Sequence, residues 1–192
     1  MASEETFGVR LAKKLRPALP RKYNIETKRS LLYAISFSDD GELQLGQNAA
    51  KEPTRGGGTG FEQDLLLFER AHAEAATAII PRVSVELKFN GITTHDSIVY
   101  SEKARRIRTI YPFVRYGLIL GGLNHVPART LRLGLEFDFI VAMPIPVRRQ
   151  TLDRVAHLLR RELRLSCQLT NILRGRDRVA AVHRRLGFVI EF

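Results

Sequence analysis

Two short apolar runs, each associated with an acidic residue, constrain this chain more than anything else in it. The first is Leu65 to Phe68, led by Asp64. The second runs from Pro81 to Phe89, after an alanine-rich connector that contains His72. From Val83 to Phe89 the alternation is strict: Val83, Val85, Leu87 and Phe89 point to one side, Ser84, Glu86 and Lys88 to the other. The spacing predicts two adjacent buried strands, one face of the second joining a core while the other carries an acid and an amine. Charges inside a sheet are costly unless they are paired or bound to metal, so this pattern calls for a partner.

The flanking sequence supplies helices and further strands. Ser3 to Leu19 reads as a basic amphipathic helix, capped by Ser3, with Glu4 and Glu5 at its positive end and Pro20 stopping it. Ser30 to Ser38 is strongly apolar and fits no single element. Asp39, Asp40 and Gly41 mark a turn. Thr93 to Ser97 supplies capping residues for a helix whose apolar stripe is Ile98, Val99, Ala104, Ile107 and Ile110, ending near Pro112 and leaving Lys103, Arg105, Arg106 and Arg108 exposed. Tyr116 to Leu120 and Phe137 to Ala142 are two more short strands. Helical spacing returns after Pro146 through Leu152, Val155, Leu159 and Leu163, and Phe188 to Phe192 closes the chain as a strand. A break near Arg174 and Gly175 separates two helical stretches, which would suit a helix-turn-helix. This order implies an α/β core with a mixed sheet.

A length of 192 residues with 44% apolar content suits one domain. We expect residues 1–192 to form it, with 46–60 a flexible glycine-rich loop and 147–192 an arginine-rich helical C-terminal part. The loop lacks the lysine-bearing spacing of a nucleotide-binding loop. No apolar run approaches the roughly 20 residues that cross a bilayer, and no signal-peptide run opens the sequence; both lead us to expect a cytoplasmic protein without a membrane partner. Cys167 is the single cysteine, which excludes an intrachain disulfide and a multi-cysteine zinc site. It sits between Leu165 and Leu169 as a small core residue. With 31 Lys and Arg against 20 Asp and Glu, the net charge is +11. Such a balance favours a polyanion, nucleic acid first.

The chemistry concentrates on the two strands. Residues two apart on a strand lie on the same face within roughly 7 Å, so Glu86 and Lys88 can address one ion and one water. Asp64 would add a second carboxylate. Two hard oxygen ligands with open positions suit Mg²⁺, with Mn²⁺ as a substitute, because Mg²⁺ keeps waters and binds substrate phosphate. Such an ion stabilises in-line attack on a phosphodiester while Lys88 orients or deprotonates the water.

Asp64 in FEQDLLLFE, followed by Glu86 and Lys88 in PRVSVELKF, resembles the PD-(D/E)xK nuclease superfamily. The resemblance covers roughly residues 61–142 and implies a restriction-endonuclease-like fold, a mixed central sheet flanked by helices. It further implies that Asp64 and Glu86 hold the metal with the carbonyl of Leu87, and that Lys88 handles water. Gln63 stands where the family often has proline. Many members also place a glutamate on an N-terminal helix near the metal, for which Glu5 and Glu26 are candidates. An acid-x-lysine triplet alone is common; its position on a buried strand behind an acid-led strand is what carries weight. His95 is a candidate for touching the scissile phosphate, and Lys103 and Arg106 for gripping the DNA backbone; Thr93 and Asp96 also serve as caps. The expected function is a Mg²⁺-dependent DNA endonuclease, with a homodimer as the simplest way to cut both strands. The alternative is a non-catalytic basic DNA-binding module with the same fold.

Overall fold

Ser3 accepts a hydrogen bond from the amide of Thr6 at 3.1 Å, and the helix it caps, α1 (Glu4–Leu15), begins with two glutamates and ends near Lys13 and Lys14. Both ends thus suit the helix dipole. The regular helix is shorter than expected. Pro17 removes an amide donor, and the chain tightens into a 3₁₀ turn at Arg16–Ala18. The structure is a computed structural model, and it describes residues 3–33, 36–37, 43–44, 60–70 and 79–178. The expected turn at Asp39 to Gly41, the glycine-rich segment 46–59, His72, and residues 179–192 of the arginine-rich part with the closing strand Phe188 to Phe192 lie outside the described residues. Gly60, expected in the loop, already belongs to a strand.

Strands follow as β1 (Tyr23–Glu26), β2 (Arg29–Leu32), β3 (Ser36–Phe37), β4 (Leu43–Gln44), β5 (Gly60–Gln63), β6 (Leu65–Arg70) and β7 (Ile79–Phe89). The apolar stretch from Ser30 therefore divides between β2 and β3. After β7 come α2 (Thr94–Ile110), β8 (Arg115–Gly121), α3 (Ala128–Leu133), β9 (Phe139–Met143) and α4 (Arg149–Leu173). The central sheet has the order β1-β6-β7-β8-β9; its first three strands are antiparallel neighbours, and β7, β8 and β9 run parallel. The result is a mixed α/β architecture with a five-stranded mixed sheet flanked by helices.

Each sheet face has its own core. Val83, Val85 and Leu87 pack with Phe7, Leu11 and Leu15 of α1 and Val155, Leu159 and Leu163 of α4. On the opposite face, Leu66, Phe68, Tyr116, Leu118 and Leu120 pack with Ala104 and Ile107 of α2. Cys167 is part-buried beside the first core, its Sγ 3.3 Å from the Tyr23 hydroxyl. Among the described residues, no helix is long and apolar enough to cross a membrane.

The buried stripe of α2 differs from expectation. Ser97, Ser101, Ala104 and Ile107 face inward, while Ile98 and Val99 are 50% and 43% exposed. Small side chains let the helix approach the sheet closely, and the Ser101 hydroxyl accepts the amide of Glu136 at 3.0 Å. This rotation also corrects the exposure expected for Lys103 and Arg108. Their side chains are only 12% and 17% exposed, whereas Arg105 and Arg106 stay outside and pair with Glu102. Arg108 reaches Glu136 and Asp138, both at 2.9 Å, and Arg115 binds Asp138 at 3.0 Å and Glu162 of α4 at 2.6 Å. That network ties helices on both faces to the sheet at the end where β8 and β9 begin. At the other terminus of α4, Gly175 ends the helix at φ +66.

Gly117 marks the tightest packing between β8 and β9: a Cβ there would fall 2.1 Å from the ring of Phe139. We expect Gly117→Ala to destabilise the protein by about 1–3 kcal/mol in urea denaturation, with Phe139→Leu in the same chain recovering most of the loss. Additive losses in the double variant would show that this contact is not the cause.

Candidate active site

Asp64 sits where a two-stranded ribbon bends. β1 pairs with β6 and β2 with β5 in one continuous register, but the ladder is interrupted between Glu26↔Leu66 and Arg29↔Gln63. Lys28 occupies a left-handed conformation, φ 57, at this break, opposite Asp64. At the bend, the Asp64 side chain takes over an acceptor role: its Oδ2 receives the amide of Leu87 on β7 at 2.8 Å. The bend thereby fastens a carboxylate to the strand that carries Glu86.

Glu86 is 1% exposed, on the α2 side of β7. Its Oε1 accepts from the Lys103 ammonium at 2.6 Å and from the Tyr116 hydroxyl at 2.5 Å. Lys103 also donates to the carbonyl of Glu62 and lies 5.9 Å from the centre of the Phe61 ring. Burial pushes the Glu86 carboxyl up to about 7 and the negative charge of Asp64 adds to this, although Lys103 and the phenol of Tyr116 pull the other way.

Lys88 shares the strand face of Glu86 but engages other partners. Its ammonium stands 3.4 Å from Glu4 on α1 and 3.7 Å from Asp96 on α2, and 5.3 Å from the centroid of Tyr100. Burial favours its neutral form, yet the Tyr100 hydroxyl, Glu4 and Asp96 outweigh burial and raise its pKa. Lys88 is therefore a firm cation at neutral pH. Asp96 also completes a capping box with Thr93, its Oδ2 taking the Thr93 amide at 2.9 Å while the Thr93 hydroxyl receives the Asp96 amide at 3.0 Å. A cavity of about 130 Å³ opens on the α1 side of the sheet, lined by Glu4, Glu5, Gly8, Val9, Thr27, Lys28, Asp64 and Leu87; Glu86 and Lys88 are not among its lining residues.

The fold thus joins Asp64 to the backbone of Leu87 and sets Glu86 and Lys88 on one strand face, with the Glu86 carboxylate held by Lys103 and Tyr116 and the Lys88 ammonium by Glu4 and Asp96. His95 is exposed in the first turn of α2, next to Asp96, and Arg106 lies on the outer face of the same helix, bound to Glu102 at 2.8 Å. Lys103, expected to grip DNA from the surface, is instead the buried partner of Glu86. Of the two helix-glutamate candidates, Glu5 lines the cavity and pairs with Lys28 at 2.5 Å, while Glu26 lies on β1 and pairs with Arg29. Glu4, which sequence reasoning treated as a helix-end charge, is the residue that reaches Lys88. Tyr116 and Gln63 were also missed. Gln63 is fully buried and accepts the hydroxyl of Ser84 at 2.5 Å. One signal was present: Asp96, Tyr100 and Lys103 fall at i, i+4 and i+7, a single helix stripe with two of its three members charged.

Among the described residues, no group of three or more His, Cys, Asp or Glu is arranged to hold a metal. The donor set formed by Asp64, Glu86 and the Leu87 carbonyl is all oxygen and contains two carboxylates. Such a set fits Mg²⁺, which takes one or two carboxylates and leaves the remaining positions to water and phosphate. No known protein family matches this chain, and no curated protein does.

Glu86 titrates well above the ordinary 4.5, so the folded protein keeps a proton that the unfolded chain gives up between about 4.5 and 7. Its contribution to stability is complete below 4.5 and is lost as the pH rises through 7. Denaturant melts from pH 5 to 8 should show stability falling across this window, and Glu86→Gln should flatten the fall. An unchanged slope in the variant would locate the titrating group elsewhere.

Proposed function

We propose that this chain is a metal-dependent DNA endonuclease of the PD-(D/E)xK type, with a restriction-endonuclease-like core and Asp64, Glu86 and Lys88 as its catalytic residues. The observation that supports this reading is the hydrogen bond that joins Asp64 to β7 at the Leu87 amide, between Glu86 and Lys88 in the chain. Asp64, Glu86 and the Leu87 carbonyl would hold Mg²⁺ or Mn²⁺. When bound, such an ion supplies Lewis-acid stabilisation for charge developing on a phosphodiester.

The protein's own residues set the remaining roles. Lys88 stays protonated, so it acts as a cation that places the attacking water and stabilises hydroxide; taking the proton itself is the role its charge disfavours. Glu4 and Asp96 hold that ammonium from two helices, which fixes its position at the end of β7. Tyr100 lines the same corner. The excess of basic residues over the whole chain, +11, suits the phosphate backbone of duplex DNA. A two-fold homodimer would present two such sites to two strands.

The second reading, a DNA-binding module without catalysis, draws on the Lys103 ion pair, which already gives Glu86 a counter-charge inside the protein. Plasmid cleavage separates the two. Wild-type protein in Mg²⁺ or Mn²⁺ should nick or linearise supercoiled DNA. Lys88→Ala should slow the reaction by about 10²–10³-fold, the range lost with one group that stabilises developing charge, and Asp64→Asn should abolish it. Salt-sensitive DNA binding with no cleavage by the wild type would establish the binding module instead.

A further inference from the structure

Two donors from different elements converge on one oxygen of Glu86. The Tyr116 hydroxyl comes from β8 and the Lys103 ammonium from α2, and both bind Oε1, at 2.5 and 2.6 Å. Among the described residues, Oε2 receives no hydrogen bond. Each donor is itself fixed. Tyr116 is fully buried, its amide is held by Asp138 at 2.7 Å and its ring stacks on Phe137 with centroids 6.4 Å apart. Lys103 is anchored by the Glu62 carbonyl and is 12% exposed. A carboxylate gripped at one oxygen by two rigid donors cannot swing to offer both oxygens to a single ion.

We propose that Tyr116 and Lys103 are positioning residues that commit Oε1 of Glu86 to the protein and present Oε2 alone as the metal-ligating oxygen. This rests on the metal-site reading above and adds a selectivity to it. Mg²⁺ and Mn²⁺ accept single carboxylate oxygens in compact octahedral sites, whereas Ca²⁺ takes more oxygens and readily uses carboxylates bidentately. The clamp therefore favours the small cations over Ca²⁺. Residues that orient a ligand in this way commonly change metal affinity 10–100-fold when removed.

The test measures Mn²⁺ binding directly by electron paramagnetic resonance, with Ca²⁺ as competitor, in wild type, Glu86→Gln, Tyr116→Phe and the control Tyr23→Phe, which deletes a buried hydroxyl far from the site. Thermal melts confirm folding. We expect Glu86→Gln to lose Mn²⁺ binding. Tyr116→Phe should bind Mn²⁺ at least roughly tenfold more weakly, with its preference for Mn²⁺ over Ca²⁺ reduced, and Tyr23→Phe should match wild type. Glu86-dependent binding with unaltered affinity and preference in Tyr116→Phe overturns the clamp and leaves the metal site standing. Mn²⁺ binding that is absent, or indifferent to Glu86, overturns both. A second measurement needs no variant: the Tyr116 hydroxyl proton should remain protected in NMR spectra of wild type as Mg²⁺ is added, and its loss would mean that the ion takes Oε1, which overturns the proposal.

Discussion

A carboxylate at the centre of a sheet has to be satisfied from within the protein, and the arrangement around Glu86 follows from that requirement. At 1% exposure Glu86 has little contact with water, so most of its charge and hydrogen-bond compensation comes from neighbouring elements. β8 contributes the Tyr116 hydroxyl, which is possible because the parallel register places Tyr116 opposite Ser84, one pleat from Glu86 on the same face. α2 contributes Lys103, and this fixes the rotation of the helix: for the lysine to point at the sheet, small residues must lie against it, which is why Ser97, Ser101 and Ala104 are buried while Ile98 and Val99 are not. A helix oriented by its apolar stripe alone would have turned the ammonium outward.

The same strand is held from the other side by different physics. Val83, Val85 and Leu87 meet α1 and α4 through apolar contact, and Leu87 packs so closely on α1 that a Cβ on Gly8 would lie 2.9 Å from its side chain. That close approach carries the first turn of α1 to the end of β7, where Glu4 reaches Lys88. The opposite ends of the strands are fixed by the buried ion pairs of Arg115 with Asp138 and Glu162, which engage α4 directly and α2 through Arg108. Cross-linked charged groups thus lie at one end of these strands, and the Glu86 and Lys88 cluster lies at the other.

Much of this was legible in the residues, and the misses have physical causes. The strict alternation from Val83 to Phe89, the acid-led run at Leu65 and the capping residues at Thr93 and Asp96 are local patterns, and local hydrogen bonding and pleat geometry realise them as read. Glu86, Lys88 and Asp64 could be singled out because charge on a strand of core residues is anomalous wherever the strand lies. Their partners are not local. Lys103 is 17 residues from Glu86 and Tyr116 is 30, and both look ordinary in sequence, one a helix-surface lysine and the other the first large residue of an apolar strand. The bend at Asp64 depends on Lys28 taking a left-handed conformation with no glycine to announce it. Pairing across the sheet determines these features, and pairing is what a single sequence does not display.

Stability by itself is a poor account of this corner of the protein. A buried ion pair contributes little net stability compared with apolar residues of the same volume, so the Glu86–Lys103 pair is not needed to hold α2 on the sheet. In the Arg115 network two guanidiniums, Arg108 and Arg115, face three carboxylates, and each carboxylate is in contact with at least one of them. The cluster at the end of β7 carries a larger excess. With Glu86 ionised, the carboxylates of Glu4, Asp64, Glu86 and Asp96 face the ammonium groups of Lys88 and Lys103, while Glu5 and Lys28 offset each other. Four negative groups against two positive ones leave an excess that matches the charge of one divalent cation. In a protein of net charge +11, a local negative excess repels the polyanion that the rest of the surface attracts. A cation shared between the carboxylates and a phosphate would reverse that repulsion, and this is the electrostatic argument for the phosphodiester site proposed above.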